Sequence, residues 1–560
     1  MRKILFATLV LTTLCSGRAR CCTNVLVTRS ASTDGSCMVS YAADSHWLYG
    51  ELYFNKAARY RPGTMMDIVE WDTYRYKGQI PQAGSTYQTV GNMNEHQLII
   101  AETTWGGREE QMNPDGITDY GSLIYITLQR ARTAREAIGV FTSLANEYGY
   151  PSEGETISIA DTQEAWIMDI CGKGADEKGV VWVARRVPDG YICCHANQAR
   201  TTRFPWNDPE NCLYAPDVAS YARSKGWYSG TDEDFSFREA YNPLEFSGAR
   251  GCEARVWSAY NILGDGVFTY EENGEEVSRP ASDWLDYAMG YDLAGEMPLF
   301  IKPARKVSPK AVADVMRDHY EGTPMDMTLG IGAGGNACPY RWRPMSFEWD
   351  GKSYVNERAI ATQQTGFWFV AQARGWLPDL VGALLWFGVD DAATSYVTPI
   401  YVNTKEIPEC FRVGNGNLIE YSATAAFWIC NRVTNACYRM YNHMAPVVRE
   451  RIDAFENEQM FKAVPEMDAR LAAMRPRKAR KALTKYTVQT AQKQFEDWVK
   501  LEEMLTVKFI DGNVKAQDEA GNFLHAEEYE GLPDGLTQPG YTDHWKDCVV
   551  KDRGKILEIK

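Results

Sequence analysis

Apolar and polar positions alternate along the first part of the chain in short runs broken by turn formers. Asn24–Thr28 and Cys37–Ala42 have strand character, and Ser32-Thr33-Asp34-Gly35 between them is a turn signal. The pattern predicts a hairpin with Cys22 at the head of its first strand. His96–Thr103 is a further β-rich run. Over Tyr120–Tyr148 the period changes. Leu123, Ile126, Ala131, Ala134, Ile138, Phe141 and Leu144 recur at roughly helical spacing, and Gly149 and Pro151 end the run. One long helix is expected there. Thr156–Ala160 and Ala165–Cys171 then flank the turn Asp161–Glu164, and Val180–Val187 and Tyr191–Ala196 flank Pro188-Asp189-Gly190. Both pairs read as hairpins.

Further on, Tyr221–Asn273 is mixed and polar, and Ser308–Tyr320 has helical spacing. The Trp- and Gly-rich Arg358–Pro408 reads as more sheet closing the core. Pro446–Met504 is mostly helical with a break at Pro476, followed by short strands and acidic loops after Val507. Hairpins, a helix and more hairpins predict an α+β layered architecture. The strand–helix alternation of a parallel nucleotide-binding sheet is missing.

The chain's 560 residues and ordinary composition suffice for a large core. A formal charge of −15 argues against a nucleic-acid partner, because an acidic surface repels phosphates. The basic stretch Arg475–Lys485 lies in a helical pattern and reads as a solvated face.

At the start, Arg2 and Lys3 precede the apolar or Thr-containing Ile4–Leu14. This resembles a signal peptide over residues 1–21, too short for a stable membrane span. A cut between Cys21 and Cys22 puts the small Ala19 and Cys21 at −3 and −1. Export to a periplasm or outside the cell follows, with no membrane anchor once the leader is removed. Lipidation is disfavoured by Arg18 and Arg20. The cysteines include no CxxC pair, HExxH is absent, and the histidines lack ligand spacing. Neither a metal nor an organic cofactor is called for. The Gly-rich Ile331–Ala337 lacks a following Lys-Ser/Thr and is expected to be an active-site loop. His46 is expected at a pocket wall or surface, His195 in packing, and Trp368–Trp386 in the core.

Cys22 invites a specific chemistry. Freed at the N-terminus, it would join a thiol to an α-amine whose reference pKa is about 7.7–8.0. The amine would take the thiol proton and return it to the leaving group, so no distant histidine is required. On residue pattern alone, a small cysteine beside a cleavage site serves as well.

The segment CTNVLVTRSASTDGSCMVSYAADS (Cys22–Ser45) resembles the start of the family C69 dipeptidases. These are N-terminal-nucleophile cysteine hydrolases related to choloylglycine hydrolases and penicillin V acylases. The likeness continues in order through MNEHQLIIAETTWGGRE (Met93–Glu109), ISIADTQEAWIMDICGKG (Ile157–Gly174), VWVARRVPDGYICCHANQAR (Val181–Arg200), MRDHYEGTPMDMT (Met316–Thr328), CPYRWRP (Cys338–Pro344) and Gln372–Tyr401. The resemblance implies a four-layer α-β-β-α sandwich over residues 22–445, with residues 446–560 as a helical extension and tail packed on it. It implies dipeptide or short-peptide hydrolysis through a thioester on Cys22, without a cofactor; a homo-oligomer is compatible with it.

It also implies site roles. Asp44 would hold the terminal cysteine, Asn94 and Asn197 would donate to the oxyanion, and Arg255 would favour the thiolate. The plainer alternatives are a turn-capping Asp, satisfied turn amides and a structural ion pair. Tyr41 stands where many relatives carry arginine, three residues before the aspartate. Two other readings stay open: an acylase of N-acyl amino acids, penicillin V or bile-acid conjugates, and a secreted binding protein on an inactive hydrolase fold.

Overall fold

The computed structural model of the protein describes residues 22–560. The expected leader over residues 1–21 lies outside the described residues. Two antiparallel sheets form the centre. The first runs in the order Ile192–His195, Asn24–Val27, Cys37–Asp44, Thr365–Ala373, Ala383–Val389, Thr398–Tyr401. The second has eight strands, its long central members being Val180–Arg186, Ala165–Gly172, Gly154–Ala160 and Ile99–Trp105.

Side chains alternate across a strand, so each strand of a sheet covered on both faces is largely apolar on both, and its polar residues need buried partners. Leu26, Val39, Phe369 and Leu385 of the first sheet share one core with Ile99, Ala101 and Ile167 of the second. Their neighbours Val25, Met38, Val370 and Trp386 point the other way, onto Val256 and Tyr260 of helix Ala254–Leu263 and Val312 of helix Pro309–Val315. On the far side of the second sheet, Ile100, Ile157, Ile159 and Met168 bury against helices Tyr120–Leu128 and Ala134–Tyr148. The expected α+β character is therefore present, and Trp368 and Trp386 are core residues.

Three expectations need correction. The run Tyr120–Tyr148 is two helices, not one. Asn94 Nδ2 donates to the carbonyls of Leu128 and Ala131 at 2.8 Å each, and Thr133 caps the second helix at Glu136 N. The carbonyls left over where the first helix ends are satisfied from outside, so the break is stable. Secondly, Val180–Arg186 and Ile192–His195 do not pair: the turn at Pro188–Gly190 carries the chain from the second sheet to the first. Thirdly, the tail holds a helix, Asp543–Leu557, beyond its short strands.

Helices after residue 440 close one side. The helix Pro476–Lys508 begins on its proline, whose missing N–H costs nothing at a first turn. Its Thr487 hydroxyl accepts from Tyr401 N at 3.3 Å, covering an edge strand. Arg374 reaches Asp468 at 2.6 Å, and Arg317 reaches Glu456 at 2.6 Å. Both are buried ion pairs between the sheet region and the C-terminal helices. Among the described residues no helix is long and apolar enough to cross a membrane.

Candidate active site

Thr23 bridges to Ala42 ahead of the first strand, which sets Cys22 against the end of the strand Cys37–Asp44. Cys22 is 4% exposed and lines a cavity of about 450 Å³. Its Sγ lies 3.7 Å from Glu102 Oε1 and 3.8 Å from the Tyr41 hydroxyl. The hydroxyl in turn donates to the same Glu102 oxygen at 2.5 Å. Tyr41 belongs to the first sheet and Glu102 to the second. The thiol therefore sits where the two sheets face each other.

Burial pushes the thiol well above its ordinary value, and the Glu102 and Asp44 carboxylates add to this. The Asp44 backbone N–H and the Tyr41 hydroxyl oppose it. Burial also raises the Tyr41 hydroxyl, which stays protonated and can donate.

Asp44 is buried at the end of its strand. Its carboxylate pairs with Arg358 and accepts from Thr365 Oγ1 at 2.6 Å. Burial lifts its carboxyl to about 6 against the pull of Arg358 and Thr365. It faces the cavity, yet its nearest link to Cys22 is through its backbone amide.

Arg255, on helix Ala254–Leu263, is 1% exposed. Its Nη1 donates to the Cys22 carbonyl at 2.6 Å and to Thr23 Oγ1 at 2.8 Å. Its Nη2 donates to Asn197 Oδ1 at 2.9 Å and Ala196 O at 3.2 Å, and its Nε to Gly251 O at 2.8 Å. A guanidinium has five N–H groups in a fixed fork, and all five meet oxygen here. The expected thiolate partner instead grips the backbone of the cysteine. Asn197 follows the strand Ile192–His195 with φ +61°, a conformation asparagine tolerates. One of its amide N–H groups goes to Thr104 O at 2.5 Å.

Cys22, Asp44, Asn197 and Arg255 are thus gathered at one place, and Asn94 is not. Its Nδ2 is spent on Leu128 O and Ala131 O, and its Oδ1 accepts from His96 N at 2.9 Å and Leu98 N at 3.1 Å. A fully committed, fully buried amide has no N–H left for an oxyanion. The Gly-rich segment is likewise elsewhere. Ile331–Asn336 packs under the tail helix, where Gly335 O accepts from Thr542 N at 3.2 Å. His195 is buried between Thr103 Oγ1 at 2.8 Å and Ser158 Oγ at 2.6 Å, and burial drives its pKa down to about 3.

Glu102 escaped the sequence reading. Its signal was a carboxylate inside the apolar run Ile99–Trp105, where a glutamate is expected only with a partner. Much of the remaining cavity wall is aromatic or acidic, with Tyr53, Trp71 and Tyr120 beside Glu51 and Asp72, and Val413, Gly414, Gly416 and Leu418 add apolar and glycine positions. Among the described residues no Lys, Arg or His lines it, and no cluster of three or more His, Cys, Asp or Glu is arranged to hold a metal ion.

A half-open cleft of this size, with a few polar groups converging on a thiol in an α+β frame, is the form of a small-molecule enzyme site. The model of peptidase family C69 matches residues 21–453, and the chain belongs to that family. It is similar to a "Probable dipeptidase" of Latilactobacillus sakei, 23% identical over 70% of this chain and 76% of the relative. A "Probable dipeptidase" of Salmonella dublin is 23% identical over 77% of this chain and 93% of the relative. A "Probable dipeptidase A" of Streptococcus pyogenes serotype M3 (strain SSI-1) is 24% identical over 75% and 84%.

Proposed function

We propose that this peptidase is an exported dipeptidase working through the thiol of an N-terminal Cys22, on a four-layer α-β-β-α sandwich of the N-terminal-nucleophile type. Membership of peptidase family C69 and the names of the relatives support the reaction. The observation that carries the mechanism is the position of Cys22, its thiol in the cavity wall and its carbonyl held by the buried Arg255. A backbone fixed in this way holds the sulfur at the cavity wall.

A thiol with a raised pKa does not rest as thiolate at neutral pH. The proton must leave as attack occurs. The freed α-amine takes it, Sγ bonds to the substrate carbonyl carbon, and the second N–H of Asn197 donates to the oxygen. The C–N bond then breaks as the leaving amine receives the proton. Water hydrolyses the thioester, releasing the acid and restoring the thiol. Cleavage between Cys21 and Cys22 supplies the base, so maturation and activation are one event.

Asp44, Glu51, Asp72 and Glu102 line the cavity. Carboxylates favour a substrate with a protonated amino terminus and disfavour N-acyl amino acids, penicillins and bile-acid conjugates, which lack that cation. Mass spectrometry of the mature N-terminus, with a panel of free and N-acetylated dipeptides, tests both points. The expected result is a chain starting at Cys22 that cleaves free dipeptides. Full activity in a chain starting before Cys22 would overturn the mechanism, and faster turnover of N-acylated substrates would overturn the substrate assignment.

A further inference from the structure

We infer that Tyr41 and Glu102 form a two-position hydrogen-bond device that governs the proton of Cys22, with the Tyr41 hydroxyl passing from Glu102 to the sulfur as the thiol proton departs. The inference rests on Cys22 being the nucleophile.

Three polar atoms form a closed triangle. The hydroxyl is 2.5 Å from Glu102 Oε1, the sulfur is 3.7 Å from that oxygen, and the hydroxyl is 3.8 Å from the sulfur. All three residues are at least nine-tenths buried. While the thiol is protonated, the carboxylate is the strongest acceptor present and takes both the hydroxyl and the S–H. Once the proton has left, sulfur is an anion beside a carboxylate, in surroundings that screen charge poorly. A thiolate so placed needs a donor. Tyr41 can supply one without a change of net charge, by rotating its hydroxyl hydrogen from oxygen to sulfur.

The ring that carries the hydroxyl is fixed. Phe367 and Phe369 pack edge-on against Tyr41, with centroids 5.8 and 5.6 Å away. The hydroxyl therefore changes partner by rotation about its own C–O bond, not by movement of the side chain. Glu102 has the opposite effect on the sulfur. Its charge holds the thiol protonated at rest, which protects a buried cysteine from oxidation and alkylation until substrate arrives. No bond other than the S–H is broken by the device. The proton goes to the α-amine, and Tyr41 keeps its own.

The two residues therefore have opposite signs, which a merely structural role would not produce. The test is a pH titration of Cys22 alkylation by iodoacetamide on full-length mature enzyme, read by mass spectrometry at Cys22, alongside kcat/KM for a neutral dipeptide. Tyr41→Phe retains the ring and its packing. It is expected to move the alkylation profile to higher pH and to slow the reaction at fixed pH about tenfold, the equivalent of one pKa unit. Glu102→Gln retains an acceptor for Tyr41 and is expected to move the profile to lower pH. Both should keep a wild-type melting temperature within a few degrees. Profiles that move in the same direction, or do not move, overturn the inference. The underlying nucleophile assignment fails by a separate result, retention of dipeptidase activity in Cys22→Ala. If Tyr41→Phe does not fold, Glu102→Gln alone decides by the direction of its shift.

Discussion

Asn94 and Asn197 carry the same amide to different ends. Asn94 spends its amide on four backbone groups that join a turn to the end of a helix. Asn94→Ala strands those buried groups, each costing about 1–3 kcal/mol when left unsatisfied. A clear drop in melting temperature is expected, with kcat of the folded fraction near wild type. Asn197 has its oxygen on Arg255 and one N–H on Thr104 O, beside the cysteine. Asn197→Ala is expected to lower kcat by roughly 10²–10³, the scale of one oxyanion donor, with little change in KM. Steady-state kinetics and thermal unfolding on both variants check the contrast, and a normal kcat in folded Asn197→Ala would remove that donor. The sequence singled out both residues because motifs report residue type and order. It could not separate them, since the two carbonyls that take up the Asn94 N–H groups lie 34 and 37 residues away. Glu102 was only half legible for the same reason: a carboxylate in an apolar run marked it, but its partners Cys22 and Tyr41 lie 80 and 61 residues away.

At the scale of elements, short-range signals were legible and long-range pairing was not. The hairpin Asn24–Val27 with Cys37–Asp44 follows from alternation and a turn. The turn at Pro188–Gly190 looks the same locally, yet the next strand joins the other sheet, because Asn24–Val27 offers it an apolar edge in register from Asn24↔His195 to Val27↔Ile192. The junction after Ala383–Val389 has a titratable character of its own. Asp390 is fully buried and accepts from Asn431 Nδ2 at 2.9 Å and Thr434 Oγ1 at 2.6 Å on helix Ala426–Cys437. Burial, aided by the neighbouring charge of Asp391, pushes its carboxyl up from 3.8 to about 7. The folded state thus binds this proton more tightly than the unfolded chain. The resulting stabilisation is complete below about pH 4 and is lost as pH rises through about 7. Asp390→Asn stays neutral throughout. The melting temperature of the variant minus that of wild type is therefore expected to rise between pH 5 and 8, and calorimetry across that range checks it. A constant difference would mean that Asp390 is ionised in the fold at all these pH values.

Across the whole molecule, two acidic features coincide: a net charge of −15 and a cavity walled by carboxylates and aromatic rings. The first was legible by counting. The second was not, because Glu51, Asp72 and Glu102 come from separate stretches brought together only by the packing of the two sheets and their loops. Together they make a negative field that draws cationic substrates inward and weakens as salt screens it. Glu51 accepts from Gly414 N at 3.0 Å, which fixes its carboxylate at the cavity wall. Burial raises its pKa, so removing its charge also relieves a cost to the fold. Glu51→Gln keeps that acceptor and the side-chain volume while losing one charge. It is expected to raise KM for a lysine-containing dipeptide several-fold, leaving kcat and the melting temperature near wild type, because the lost interaction is equal in ground and transition states. KM for the same dipeptide on wild-type enzyme should rise between low and physiological salt, and this rise should be smaller in the variant. KM for a dipeptide with an acidic side chain should move the other way, since its repulsion is screened. Kinetics at two salt concentrations on the two substrates decide the matter. Equal salt dependence for basic and acidic dipeptides would show that the cavity charge does not select substrate, and would leave the shape and aromatic lining of the cavity to do so.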